Sequence, residues 1–467
     1  MKHLYRSAFV LLLTAGVLSS CGGASSYRKN TSLSLNEKVS LTICGESASN
    51  KALEDAIIGF NKIYPNCTVS YEYVMNYQTS LLKRLQNNDD VDCFLASTIS
   101  SSSAYLPYSD DFRSETGLNL NNTFAGLMEN SSSSTGDSSK LYFIPLGGEI
   151  RGMFVNATLL AHEGLKIPTN YNELLSTCAT LAGTDAKNSP TYIPLQGNPG
   201  NFAINAFYPY LCNLVANGEN PEALKTAINT CADGAEEVFR EPLSRLYHLV
   251  ESYYYNYDYA ETHLDNFKDG SVSSACYSFL NIHKDSSGAY VKADDIGQVP
   301  FLPWVYSLDE TLKRYKEDFE SKIDYRFILS PLGDQGGYGY LSPSSWIALN
   351  KNSTKKAWAL EFINYLFSDE GNHLYAKTAN IIPNTKDAFE IIKNTYNVPL
   401  NQIAQVGQVS YAWDVYSVLK SSLTEISKAN KSKYMIANSD GTYTMHPFED
   451  YMNNLKNAFL TQKGKLA

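Results

Sequence analysis

The residues of this chain that can do chemistry are carboxylates and flat rings. Its 467 residues include 48 acidic side chains, 34 tyrosines and four tryptophans. An ionised carboxylate accepts strong hydrogen bonds and suits a pair of hydroxyl donors. A ring covers the apolar CH face of a polyhydroxylated guest, adding about 1 kcal/mol beyond burial if values for aromatic pairs transfer. Carboxylates with rings point to a neutral polyol, whereas a polyamine asks for several carboxylates instead. Candidate platforms are Trp304 after Phe301-Leu302-Pro303, and Tyr340 and Trp346 in one short run with Tyr338.

Catalysis has little support. The sequence has no GxSxG elbow, HExxH helix or P-loop, and Gly337-Tyr338-Gly339 is too short to cradle phosphate. Two carboxylates about 5 Å or ~6.5–9.5 Å apart would make a glycosidase pair, but any chain this rich in acids offers candidates. His3, His162, His248, His263, His283, His373 and His446 show no ligand spacing. No enzyme, metal or cofactor is expected. The net charge of −10 comes without a basic cluster, which excludes nucleic acid as a partner, since binding it needs cations to displace phosphate counterions.

Eight cysteines divide into Cys21 and seven others, with no CxxC spacing. Cys44, Cys67 and Cys93 lie in apolar strand-like runs and behave as small hydrophobes. One bridge, Cys212 to Cys231, is possible among otherwise buried thiols.

The elements that position these groups follow a secretory start. Lys2 and Arg6 precede an apolar run, Ala8–Leu18, too short for the roughly 20 residues of a membrane span. Residues 1–20 read as a signal peptide. Leu18-Ser19-Ser20-Cys21 resembles a bacterial lipobox, which implies acylation of Cys21, a membrane anchor and an extracytoplasmic place. Residues 21–38 are rich in Gly, Ser and Asn and read as a flexible tether.

Beyond the tether, strands alternate with helices. Val39–Cys44, Thr68–Val74 and Val91–Ala96 read as strands, and Asn50–Tyr64 and Tyr77–Gln86 as helices. This βαβαβ order predicts a parallel sheet flanked by helices, with ligands at the strands' carboxyl ends. That places Glu46 and the loop after Leu95 at a site. Helices are also predicted over Asn172–Leu181 and Lys355–Phe367. So many residues exceed one core, so two lobes are expected.

Several segments in order resemble family 1 extracellular solute-binding proteins. They are Ile144-Pro145-Leu146-Gly147-Gly148-Glu149 with Gly152-Met153-Phe154-Val155-Asn156, and Gly164-Leu165 with Pro168-Thr169-Asn170-Tyr171-Asn172-Glu173-Leu174. Phe267–Ala275, read as a strand, and Ser345–Ser353, Ser368-Asp369-Glu370-Gly371 and Ile382-Pro383-Asn384 continue the pattern.

The resemblance implies an α/β, two-lobed periplasmic-binding-protein-like fold of class II, each lobe a mostly parallel sheet flanked by helices, with the ligand cleft between lobes. The implied segments are 39–145 and 341–390 for the N-terminal lobe, and 146–340 and 391–467 for the C-terminal lobe. Asp285–Lys322 is an insertion relative to the pattern, its charged, helical-looking half Leu308–Lys322 read as a surface hairpin. The implied ligand residues are Glu46, Glu149, Phe202 and Trp413, with Arg151 steadying Glu149 or the ligand. Trp304, Tyr340 and Trp346 are alternative platforms, because the maltose-type pattern's tryptophan and aspartate after the third strand are missing here. The implied function is that of a monomeric lipoprotein of an ABC importer, which binds a carbohydrate and delivers it to a permease and its ATPase. The same fold also serves non-sugar solutes and sensing.

Overall fold

The structure is a computed structural model that describes residues 27–96, 99–115, 118, 123, 128, 139–216, 220–264, 271–387 and 413–466. The opening βαβαβ unit forms as its periodicity predicts. Strand β1 (Val39–Gly45) pairs in parallel with β2 (Cys67–Tyr73) and β3 (Cys93–Ala96). Helix α1 (Lys51–Ile63) starts where the Asn50 side chain accepts from the Leu53 amide at 3.1 Å, and it buries Leu53, Ala56, Ile57 and Phe60. A side-chain cap of this kind satisfies an amide that the helix cannot. Helix α2 (Tyr77–Asn87) buries Leu81 and Leu85.

Strand β4 (Ile144–Asn156) has 13 residues, and β9 (Tyr340–Leu349) returns beside it in antiparallel register from Ile144↔Ile347 to Arg151↔Tyr340. With β10 (Ile382–Pro383) the sheet order is β10-β4-β9-β3-β1-β2, and β7 (Phe301–Val305) and β8 (Tyr325–Ile328) also pair with β4. The two-residue strand β10 lies against Gly148 and Gly147 of β4, and most of the expected last crossing, Asn384–Leu400, lies outside the described residues. A Cβ on Gly147 would meet the Ile382 carbonyl at 2.5 Å, so glycine lets the strands approach. The expected mostly parallel sheet is thus confined to β2-β1-β3. From β9 onward the pairs are antiparallel, because the chain crosses on β4 and comes back on β9.

Side chains alternate between the faces of a strand, and here the faces differ. One face carries a core that runs on under the whole sheet, with Ile144, Leu146, Ile150 and Phe154 of β4 beside Leu41, Ile43, Leu302, Leu341 and Ile347. The other face carries two separate cores. One holds Cys44, Phe94, Phe143, Trp346 and Ala348, and the other Met153, Val155, Phe301 and Tyr340.

Four local expectations are corrected. The motif read as a strand over Phe267–Ala275 is helix α3 (Val272–Phe279) in its described part, capped by Ser271. The hairpin is β5 (Ile282–Lys284) with β6 (Tyr290–Lys292), across the start of the insertion, whereas Leu308–Asp318 is helix α4, whose Leu308 and Leu312 are buried at helical spacing. Cys212 and Cys231 are buried thiols, not a bridge. Burial pushes the Cys44, Cys67 and Cys276 thiols up to about 12, so they stay protonated and unreactive.

The fourth concerns the tether. Residues 27–38 dock on the first lobe instead of trailing free. The Tyr27 hydroxyl donates to the buried Glu361 carboxylate at 2.8 Å and its ring meets Tyr365 edge-on. Glu361 lies on helix α5 (Lys356–Leu366) and also accepts from the Tyr64 hydroxyl, which in turn accepts from the Asn30 amide. Burial first, then the Glu361 charge, pushes the Tyr27 phenol far above its ordinary value, so it remains a donor. Tyr27→Ala is expected to release this arm, so that trypsin cuts at Arg28 or Lys29 in the folded protein many times faster than in wild type.

Candidate functional site

The two cores on the divided face of the sheet do not meet. Between them β4 presents Gly147, Glu149 and Arg151, and β9 presents Ser344 and Ser342, directly opposite Gly147 and Glu149. Glu149, Arg151, Ser342 and Ser344 are each partly exposed, between the buried Trp346 and Tyr340. The arrangement is a polar floor between two apolar blocks. Trp346 marks one end of it, opposite Pro145, and Tyr340 the other, opposite Arg151.

Each charge on the floor is held by a neutral partner. The Ser307 hydroxyl donates to Glu149 Oε1 at 3.1 Å, and Ser342 Oγ donates to the Glu149 carbonyl at 3.4 Å. Arg151 Nη1 donates to Asn205 Oδ1 at 2.8 Å. Asn205 is buried within a single wide π turn, Ala203–Phe207, and its carbonyl accepts from Ser330 Oγ at 3.1 Å. Such turns are frequent at functional sites, where they re-aim a side chain. No carboxylate among the described residues is within ion-pair distance of Arg151, so its other N–H groups are not committed to an acid. The floor therefore offers a charged acceptor, a charged donor and small hydroxyls. That set can hydrogen-bond a polyol without a metal or cofactor.

Glu46 stands exposed in the loop after β1, at the carboxyl edge of the parallel strands. Tyrosines build that edge. The Tyr71 hydroxyl donates to the Ser47 carbonyl at 2.8 Å, with its ring lying where a Cβ on Gly45 would be. The Tyr77 hydroxyl sits between the Cys44 and Leu95 carbonyls. Burial, with the Glu46 charge adding to it, pushes the Tyr71, Tyr77 and Tyr105 phenols above their ordinary value.

The remaining candidates divide differently. Phe202 is fully buried and stacks on Tyr255 with ring centroids 3.9 Å apart; it is a core ring, with no face left for a guest. Trp346 and Tyr340 are 3% and 7% exposed, their rings taken up by packing. Trp304 is partly exposed but pairs with Gly152, so it projects from the face opposite to Arg151. Arg151 does not steady Glu149; it bonds Asn205 instead. The side chain of Trp413 and the whole of Cys21 lie outside the described residues. Asn205, Ser307, Ser342 and Ser344 were not legible as site residues. The one signal was Ser342-Pro343-Ser344-Ser345, a small polar run where a buried strand should be apolar.

The model of a family described as bacterial extracellular solute-binding protein matches residues 56–399, well over half of the chain. The chain belongs to this family. No curated protein matches it in sequence. Among solved structures, a sugar transporter from Rhizobium etli in an open conformation is 17% identical, with a TM-score of 0.61 over 90% of this chain and 99% of that one. A family 1 extracellular solute-binding protein from Bifidobacterium longum subsp. infantis gives 14% identity and a TM-score of 0.59 over 91% and 100%. Maltose-bound T. maritima MalE3 gives 14% and 0.56 over 91% and 100%. At these identities the likeness establishes the two-lobed α/β fold. Members of the family are binding proteins of the extracytoplasmic side. No helix among the described residues is long and apolar enough to cross a membrane.

Proposed function

We propose that this solute-binding protein captures a carbohydrate on the polar floor between its lobes and delivers it to an ABC permease, held at the membrane by a lipid on Cys21. One observation carries the reading. Glu149 and Arg151 share one strand face with Ser342 and Ser344, between two apolar cores on that face. A polyol needs acceptor and donor side by side, and this floor supplies both with their orientations already fixed by Ser307 and Asn205. The sugar ligands of structural relatives support the same class.

The proposed cycle needs only differential binding. A guest that touches Glu149 and Arg151 on the floor and Glu46 on the edge of the first lobe favours the closed arrangement by the free energy of the contacts made only there. The permease and its ATPase supply the energy for transport. Titration calorimetry with a panel of mono- and oligosaccharides tests the reading. At least one sugar is expected to bind with a Kd in the micromolar range or tighter, and Trp413→Ala is expected to weaken it about tenfold, the value of one lost stacking ring. A panel without any binder, alongside tight binding of a peptide or polyamine, sinks the carbohydrate assignment.

A further inference from the structure

The arm docked by Tyr27 leaves the first lobe at the pole opposite to the site. The parallel strands start at this pole, with Val39 N–H bonded to the Asn66 carbonyl at 3.0 Å, and end at the edge that carries Glu46. The arm is fastened at several points. Tyr27 and Tyr64 share Glu361, Asn66 Nδ2 donates to the Glu37 carbonyl at 2.8 Å, and Leu33 packs against the core.

Exposed cations gather around this exit. Arg28, Lys29 and Lys38 lie on the arm, and Lys62 on the last turn of α1 beside Tyr64. Lys29 sits over the Tyr64 ring at 5.8 Å. None of the four has a carboxylate within ion-pair distance among the described residues. The acids facing them are Glu37 on the arm and Glu370, whose charge reaches Tyr365; Glu361 is buried and already accepts from Tyr27 and Tyr64. Leu35 is 51% exposed on the same arm. An excess of cations with an exposed leucine is unusual in a chain of net charge −10.

We propose that this pole is a contact surface for anionic lipid headgroups, an inference that rests on the anchoring of Cys21 proposed above. The length of chain favours lipid over other acidic partners. Five residues separate Cys21 from Tyr27, and the six Cα-to-Cα steps between them, at ~3.5 Å each, span at most about 20 Å. With Tyr27 docked, an acyl group on Cys21 keeps the four cations near the bilayer, where basic residues within a Debye length are drawn to anionic headgroups. The site then points away from the membrane at rest, and delivery requires the arm to peel from Glu361.

The test separates the two layers. The chain from residue 21 onward with Cys21→Ser, which cannot be acylated, is mixed with vesicles of phosphatidylcholine alone or with one third phosphatidylglycerol. Binding is expected only to the anionic vesicles, to fall steeply with salt, and to drop at least tenfold in Lys29→Glu/Lys38→Glu/Lys62→Glu, while Lys313→Glu/Lys463→Glu at other places leaves it unchanged. Equal partition onto both vesicles, or indifference to the triple reversal, overturns the proposal. So does preferential binding to an acidic protein or to nucleic acid. Detergent phase partition of the cell-made protein, with and without Cys21→Ala, reports on the anchor independently: an unanchored chain sinks the underlying reading, and an anchored one indifferent to anionic vesicles sinks this inference alone.

Discussion

Arg151→Ala is expected to weaken carbohydrate binding by about 100-fold while leaving the fold intact. A hydrogen bond to a charged group contributes roughly 1.5–3 kcal/mol, equivalent to a factor of about 10–150 in Kd for each bond lost. Arg151 is partly exposed, so its removal opens no cavity. The loss leaves Asn205 Oδ1, now 2.8 Å from the guanidinium, without its donor. Arg151→Lys is expected to recover little, because an ammonium lacks the planar fork that serves Asn205 and a guest together. Glu149→Gln keeps the shape and Ser307 as a neighbour but removes the ionised acceptor, and a loss of about tenfold is expected. Calorimetry with the sugar found in the panel measures all three. An Arg151→Ala protein that binds as well as wild type moves the site elsewhere.

Phe202→Ala is expected to act in the opposite way, costing stability and sparing affinity. Truncating a buried phenylalanine costs about 3–5 kcal/mol through lost transfer energy and the cavity left behind. The stacked Tyr255 loses its partner as well. The midpoint of thermal unfolding is expected to fall by roughly 5–15 °C, with Kd for the sugar changed less than threefold below the transition. A stable variant with ruined binding would return Phe202 to the role that its place in the sequence suggests.

The contrast between these two residues shows what the sequence carries. Periodicity identified α1, α2, α5 and the parallel strands to within a residue or two, because each must bury one stripe or one face. The long strand Ile144–Asn156 was legible only through the resemblance to the solute-binding family, and the close approach of Ile382 to Gly147 shows why glycine stands there. Rings were less legible. A Phe, Tyr or Trp on an apolar run reads the same whether it covers a guest or another ring. Only pairing register shows that Trp304 leaves the sheet on the face away from Arg151, and only burial shows that Trp346, Tyr340 and Phe202 are packed. Asn205 was out of reach for a different reason. The extra residue in its turn leaves no trace in composition, and the contact with Arg151 spans 54 positions. The charged half of the insertion looked helical and is helical, but its place as a surface hairpin was misread because the helix buries only Leu308, Asp309 and Leu312, too faint a stripe to announce that it packs.

A sheet backed by one continuous core on one side and by two separate cores on the other is expected to flex unequally in the two senses. The packed side under β4 and β9 acts as a stiff backing that resists stretching and leaves no room for compression, so any rotation of the blocks pivots about it, as two boards turn on a strip glued along one side. Movement is channelled into narrowing or widening the hydrophilic side alone. A guest held there is expected to feel the travel of both blocks, while the backed side shifts least.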